Sequence, residues 1–166
     1  IEIAVGEYHA GKIDLAELAY VEKSACPTPG SCTMLGTANT MSCLSEAMGL
    51  SLPGSATIPA TYSKRLQAAH ESGRRVVDLV REGVTARQII TAPAMENAIR
   101  VGLAIGGSTN LVLHLLAVAE EADLPLQIDD FDRLSKETPY IASVMTASEY
   151  AMVDFHRAGG IPAVMQ

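Results

Sequence analysis

The sequence predicts an α/β segment that is predominantly helical, and three observations carry that expectation. Apolar residues recur at three- and four-residue steps, as in Met34, Ala38, Met41, Leu44 and Met48, which is the spacing of one helix face. Aromatic residues make up 4% of the chain and Trp is absent. The core must therefore come from Ala, Leu, Ile, Val and Met, a mixture that suits helices packed closely through small residues. Two short apolar runs, Tyr140–Val144 and Ile161–Met165, read instead as strands, and the second, as a buried strand, needs neighbours.

The elements follow in order. Residues 1–12 are ambiguous. Asp14 can cap a short helix through about Glu22. The loop Cys26-Pro27-Thr28-Pro29-Gly30-Ser31-Cys32 comes next, and a helix is expected from about Thr33 to Met48, stopped by Gly49. A second loop spans 50–60. A helix or helix pair should occupy 61–82 and end at Gly83, followed by a short helix opened by Thr85. Pro93 suits the first turn of another helix, where its missing N–H is harmless, and that helix should run to about Ile105. The run Gly106-Gly107-Ser108-Thr109-Asn110 breaks the pattern before a helix to about Ala122. Further helices are expected over Asp129–Glu137, capped by its own aspartates, and over 148–157. Gly159-Gly160 then turns into the closing strand. No repeat, linker or low-complexity segment is visible, so 1–166 reads as a single segment.

Composition narrows the function classes. Hydrophobic residues are 48% and charged residues 19%, a globular rather than disordered balance. The net charge is −7 and the densest basic pair, Arg74–Arg75, is flanked by acids, which argues against nucleic-acid binding. The longest strongly apolar stretch, Leu111–Ala119, is interrupted by His114 and is too short to span a bilayer. No basic-then-apolar secretory leader is present. These features predict a soluble cytoplasmic protein with no membrane partner. Cys26, Cys32 and Cys43 make an odd count without a disulfide framework. The chain opens at Ile1 without Met and stops just after an apolar run, so the expectation is a segment of a longer protein.

Two constellations carry chemistry. Cys32 closes a rigid loop and is expected to open a helix, whose N-terminal partial positive charge stabilises a thiolate. Such a thiolate is a nucleophile or a soft-metal ligand, and the plain alternative is a small capping residue. Gly30 allows close approach of a bulky group. Cys43 falls beside the apolar face and is expected in the core. No Cys-x-x-Cys or His-x-x-x-His spacing supports zinc. In the second constellation, Gly106, Gly107, Ser108, Thr109 and Asn110 open an apolar helix. They read either as an anion-binding or substrate-pocket turn or as an ordinary turn with Ser108 or Thr109 as N-cap. His114 reads as a core residue, and Glu46, Glu71 and Glu96 read as solvated surface charges.

The residues Gly30-Ser31-Cys32, Gly36-Thr37-Ala38-Asn39-Thr40-Met41 and Glu46-Ala47-Met48-Gly49-Leu50-Ser51-Leu52-Pro53 resemble the signature of the dihydroxy-acid dehydratase and phosphogluconate dehydratase family. The match continues through Leu103–Asn110 with Leu113-His114-Leu115, and through Asp154–Met165. It keeps family order from about residue 6 onward. The resemblance implies a segment of the family's N-terminal α/β domain, without the C-terminal β-barrel.

The activity implied is a lyase reaction that removes water from a 2,3-dihydroxy carboxylate to give a 2-keto acid. It uses an iron–sulfur cluster, [2Fe-2S] or [4Fe-4S], together with Mg²⁺ and a serine base. Only Cys32 matches a cluster ligand. Cys26 matches a frequent family cysteine that is not a ligand. The remaining cluster cysteines, the Mg²⁺ ligands and the base match no residue here, so no catalytic residue is assigned in this segment and the isolated chain is expected to be inactive. The implied partner is a small dihydroxy acid, in a parent that is a homo-oligomer.

Thr33 departs from the Gly or Ala that many members carry, and Met145-Thr146-Ala147-Ser148 departs from a usual Pro-Ser-Gly or Pro-Ala-Gly stretch. These departures leave a sugar-acid (aldonate or phosphogluconate) dehydratase as an alternative. A non-catalytic helical interaction module is the alternative from a different class.

Overall fold

The computed structural model describes residues 1–26 and 28–166, so Pro27 of the predicted Cys26–Cys32 loop lies outside the described residues. Ten helices and no strand are found among the described residues. Contacts divide the chain into two units, Ile1–Gly30 and Ser31–Gln166.

In the first unit α1 (Glu2–His9) packs on α2 (Leu15–Ser24). Asp14 caps α2 as its sequence position predicts. The Glu17 amide donates to Asp14 Oδ1 at 2.8 Å, and Glu17 Oε2 accepts from the Asp14 amide at 3.2 Å. Two orphan donors at the helix start are thereby satisfied reciprocally.

The second unit is organised around α3 (Thr37–Ala47) and α6 (Ala92–Ala104), which pack on one another. Helix α6 also touches α7 (Asn110–Glu121), α8 (Ile128–Glu137) and α10 (Gly160–Val164), and α10 touches α3 and α9 (Met152–Arg157). Leu44, Met95, Ile99, Ile105, Leu115, Leu134 and Ile161 are fully buried where these helices meet. Each such side chain contributes about 1.5–3 kcal/mol by leaving water. Thr91 caps α6 by accepting from the Ala94 amide at 3.3 Å, with Pro93 in the first turn. Gln127 and Asp130 close the start of α8, where the Gln127 amide donates to Asp130 Oδ2 at 2.9 Å.

Helix α4 (Ser63–Glu82) and the short α5 (Ala86–Ile89) fall where the spacing predicts. The C-terminal residue beyond α4, Gly83, is left-handed with φ 69°, a conformation glycine adopts without steric penalty. No residue of α4 is buried, and Leu66 and Val80 are 76% and 77% exposed. The helix is tied at its start by Arg65, whose guanidinium donates to the carbonyls of Ser55 (3.1 Å) and Ile58.

Four expectations are corrected. Tyr140–Val144 has no regular secondary structure and joins no ladder; the amides of Ile141 and Ala142 instead donate to Ala104 O at 2.8 and 3.1 Å and so close the end of α6. The run Ile161–Met165 is not a strand. Residues 160–164 form α10, where only Gly160 and Ile161 are buried and Pro162 sits in the first turn. The helix expected from Thr33 starts at Thr37. Leu35 N donates to Met145 O at 2.6 Å and Thr33 O accepts from Met152 N at 2.8 Å, so these backbone groups are engaged elsewhere. Met34 and Ala38 are consequently exposed, and the buried face is Thr40, Cys43, Leu44 and Ala47. The helix expected over 148–157 covers only 152–157.

Glycine sets the spacing of this core. A Cβ on Gly107 would meet Thr40 Cγ2 at 2.8 Å and the Gly102 carbonyl at 3.2 Å. Neither neighbour can yield easily, since one is a fully buried threonine and the other is backbone. Gly107→Ala should therefore destabilise the chain by about 1–3 kcal/mol, read as a lower urea midpoint. An unchanged midpoint would show that the close approach is absent.

Candidate site at the start of α3

Helix α3 begins without a side-chain cap at Gly36, and its first turn is rich in polar residues. Three of them reach outward to two different loops. Asn39 donates through Nδ2 to the carbonyls of Cys32 and Met34, both at 2.7 Å, and its Oδ1 accepts from Ser31 Oγ at 2.7 Å. Thr40 Oγ1 accepts from the Ser108 amide at 3.0 Å. Thr37 Oγ1 accepts from Asn110 Nδ2 at 2.7 Å and lies 3.4 Å from Ser108 Oγ. The loop carrying Cys32 and the turn before α7 thus meet on one helical turn, although more than 70 residues separate them in sequence.

The thiol of Cys32 is exposed, and its sulfur contacts Met34 O at 3.7 Å. Cys32 does not open the helix as expected. It lies five residues before Thr37, on a loop that folds back. A Cβ on Gly36 would sit 3.9 Å from Cys32 Sγ, so the sulfur still lies beside the N-cap. The turn at 106–110 has its own geometry. Gly106 N, Gly107 N and Ser108 N donate to Leu103 O, Gly102 O and Thr40 Oγ1. Asn110 N reaches Ser108 Oγ at 3.3 Å, so Ser108 closes the start of α7 as a hydroxyl does at a helix N-terminus. With those amides engaged inside the protein, Gly106, Thr109 and Asn110 are the exposed residues of the turn, and of these Thr109 and Asn110 carry polar side chains. Among the described residues, no group of three or more His, Cys, Asp or Glu side chains could hold a metal.

The other predicted residues sort differently. Cys43 is fully buried, as expected, and burial together with the nearby Glu46 pushes its thiol up to about 12. Glu46 is not a surface charge. It is 8% exposed, and its carboxylate accepts from the amides of Gly54 (2.5 Å) and Ala56 (2.8 Å), which holds the loop after α3. Glu71 and Glu96 stay at the surface, paired with Arg74 and Arg100. His114 is half-buried rather than a core residue, and lines a 740 Å³ cleft with Met41, Ile90 and Val118.

Asn39, Thr40 and His156 were not singled out by sequence. The first two stood only as part of the Gly36–Met41 run, because the apolar face read from the spacing did not include them. His156 Nδ1 shares a 2.9 Å hydrogen bond with Thr57 Oγ1, and its ring stands edge-on to Tyr62. Burial, then the charges of Lys64 and Arg65, hold the imidazole below its ordinary range.

The family model for dihydroxy-acid/6-phosphogluconate dehydratase N-terminal regions matches residues 1–166. The chain belongs to that family. More particularly, it is 49% identical over 162 residues to a dihydroxy-acid dehydratase of Methanospirillum hungatei, and 52% identical over 163 residues to those of Methanococcus maripaludis and Sulfolobus acidocaldarius. Each alignment covers 98% of this chain but only 29–30% of the relative. The chain therefore spans about a third of the length of the relatives it matches.

Two measurements follow from these environments. A thiol reagent added to the folded chain should modify Cys26 and Cys32 quickly and Cys43 only after denaturation. Rapid modification of all three would contradict the buried, protonated Cys43. For His156 the folded value lies below the unfolded one, so its contribution to stability is full above about pH 6.5 and is lost as pH falls through the lowered folded value. The urea midpoint should drop less between about pH 7.5 and pH 5.5 in His156→Gln than in the wild type, and parallel curves would refute the assignment.

Proposed function

We propose that this chain is part of a dihydroxy-acid dehydratase, a lyase that removes water from a 2,3-dihydroxy carboxylate. Loss of the C2 proton and the C3 hydroxyl gives an enol and water, and the enol becomes the 2-keto acid. The observation that carries this reading is the convergence on one turn of α3 of the loop that bears the exposed Cys32, held through its carbonyl by Asn39, with the hydroxyl and amide groups of Thr37, Ser108 and Asn110. The 49–52% identity to proteins named dihydroxy-acid dehydratase supports the substrate class.

Cys32 fits one ligand of an iron–sulfur cluster, since its sulfur is exposed and its loop is fastened on both sides. It does not complete a cluster site by itself, because no group of three or more metal-ligating side chains gathers among the described residues. When bound, the cluster would supply a Lewis acid for the departing hydroxide. The chain's own contribution is to hold that thiol in place and to present Thr109 and Asn110 beside it as substrate-pocket groups. The other cluster ligands, the Mg²⁺ ligands and the base belong on this reading to the part of the parent that corresponds to the remaining length of the relatives. That part would complete the α/β domain and add the β-barrel. The parent acts on its small dihydroxy acid as a cytoplasmic homo-oligomer.

The full-length parent should turn over 2,3-dihydroxyisovalerate in preference to pentonates and phosphogluconate, while the 166-residue chain alone shows no turnover. Preference for a pentonate or phosphogluconate would move the parent to the sugar-acid dehydratases. No activity on any of them would favour a non-catalytic module, which the exposed apolar residues of α4 would suit.

A further inference from the structure

Asn39 is a buried amide, 7% exposed, whose polar atoms are all engaged by the loop before α3. Its Nδ2 donates to two carbonyls, Cys32 O and Met34 O, which lie either side of Thr33, and its Oδ1 accepts from Ser31. The neighbouring attachments of this loop act elsewhere, on Thr33 O and Leu35 N. Among the described hydrogen bonds, the backbone of Cys32 itself is held by Asn39 alone. Among the described residues, the one polar contact of the Cys32 sulfur is the Met34 carbonyl, and that carbonyl is the other group Asn39 fixes.

We propose that Asn39 is the positioning residue that sets the direction in which Cys32 presents its sulfur to a cluster. This rests on the reading of Cys32 as a cluster ligand. Residues that orient a ligand from behind usually matter 10–100-fold to metal affinity. Asp is the diagnostic replacement, because it keeps the shape and the acceptor for Ser31 but cannot donate to either carbonyl.

The test uses the full-length enzyme, purified without oxygen as wild type, Asn39→Asp and Cys32→Ser. The readouts are iron and sulfide per chain, the visible and electron-spin spectra of the cluster, and the cluster's lifetime in air. Asn39→Asp should reconstitute with an altered spectrum and a lifetime shortened about tenfold or more. The thermal midpoint of its metal-free form should fall as well, because two carbonyls lose their donor, and the altered spectrum is the readout that general destabilisation would not supply. A wild-type spectrum and lifetime in Asn39→Asp would overturn the proposal. A Cys32→Ser protein that keeps a full cluster would instead remove the reading beneath it, so the two failures are distinguishable. If Asn39→Asp does not fold, Ser31→Ala removes the third bond of the same side chain from an exposed position. It should shorten the lifetime in the same direction, and an unchanged lifetime there would overturn the proposal.

Discussion

Buried polar groups inside a helical core must find partners, and the first turn of α3 answers that requirement in an unusual direction. Asn39 and Thr40 are buried, 7% and 0% exposed, at positions where the helix meets the core. An unpaired amide or hydroxyl there would cost about 1–3 kcal/mol. Their partners are not within the helix. Asn39 is satisfied by the loop that precedes α3, and Thr40 by the turn that precedes α7. Satisfying these two side chains therefore fixes two loops relative to one another, and Thr37 adds a third tie through Asn110. No buried side-chain polar atom among the described residues is left without a partner, as expected of a polar network that specifies one arrangement.

The rest of the second unit serves to hold that turn still. Helix α6 packs on α3 and touches α7, α8 and α10, and the glycine at 107 lets the α6–α7 turn lie directly against Thr40. The segment 140–145 then closes α6 and the Cys32 loop together. Ile141 and Ala142 donate to Ala104 O, while Met145 O accepts from Leu35 N. A site assembled this way depends on helix ends rather than on strand ends. It leaves α4 outside the core, with Leu66, Val77 and Val80 in solvent.

Much of this was legible in the sequence, and the failures have physical causes. Helices with strong end signals were placed well. Asp14 before α2, Gly83 after α4 and Pro93 in the first turn of α6 each supply an end signal that the backbone needs, whatever the tertiary fold does, and the structure adds Glu17 and Thr91 as their partners in capping. The two predicted strands failed because a short apolar run shows burial but not period. Ile161 alone is deeply buried in its run, and within Tyr140–Val144 the amides of Ile141 and Ala142 close the end of a helix. The start of α3 was misplaced by four residues because the competing partners of residues 33 and 35 come from Met145 and Met152, which no local signal reveals. Glu46 was misread because its acceptors' partners, Gly54 and Ala56, lie across a loop whose path sequence does not give. Cys32 and the 106–110 turn were both found as motifs, but their meeting was not. What joins them are Thr37, Asn39 and Thr40, three residues that look unremarkable one at a time.

The claim on which the account rests is that α3 physically holds the 106–110 turn against the Cys32 loop. The most direct measurement is amide hydrogen exchange at Ser108, whose N–H has a side-chain acceptor, Thr40 Oγ1, rather than a helical carbonyl. The account predicts slow exchange in the folded chain, and fast exchange at Ser108 in Thr40→Val while the amides inside α6 remain protected. Fast exchange at Ser108 in the unaltered chain would contradict it, because the turn would then be free of α3 and the two loops would share no common support.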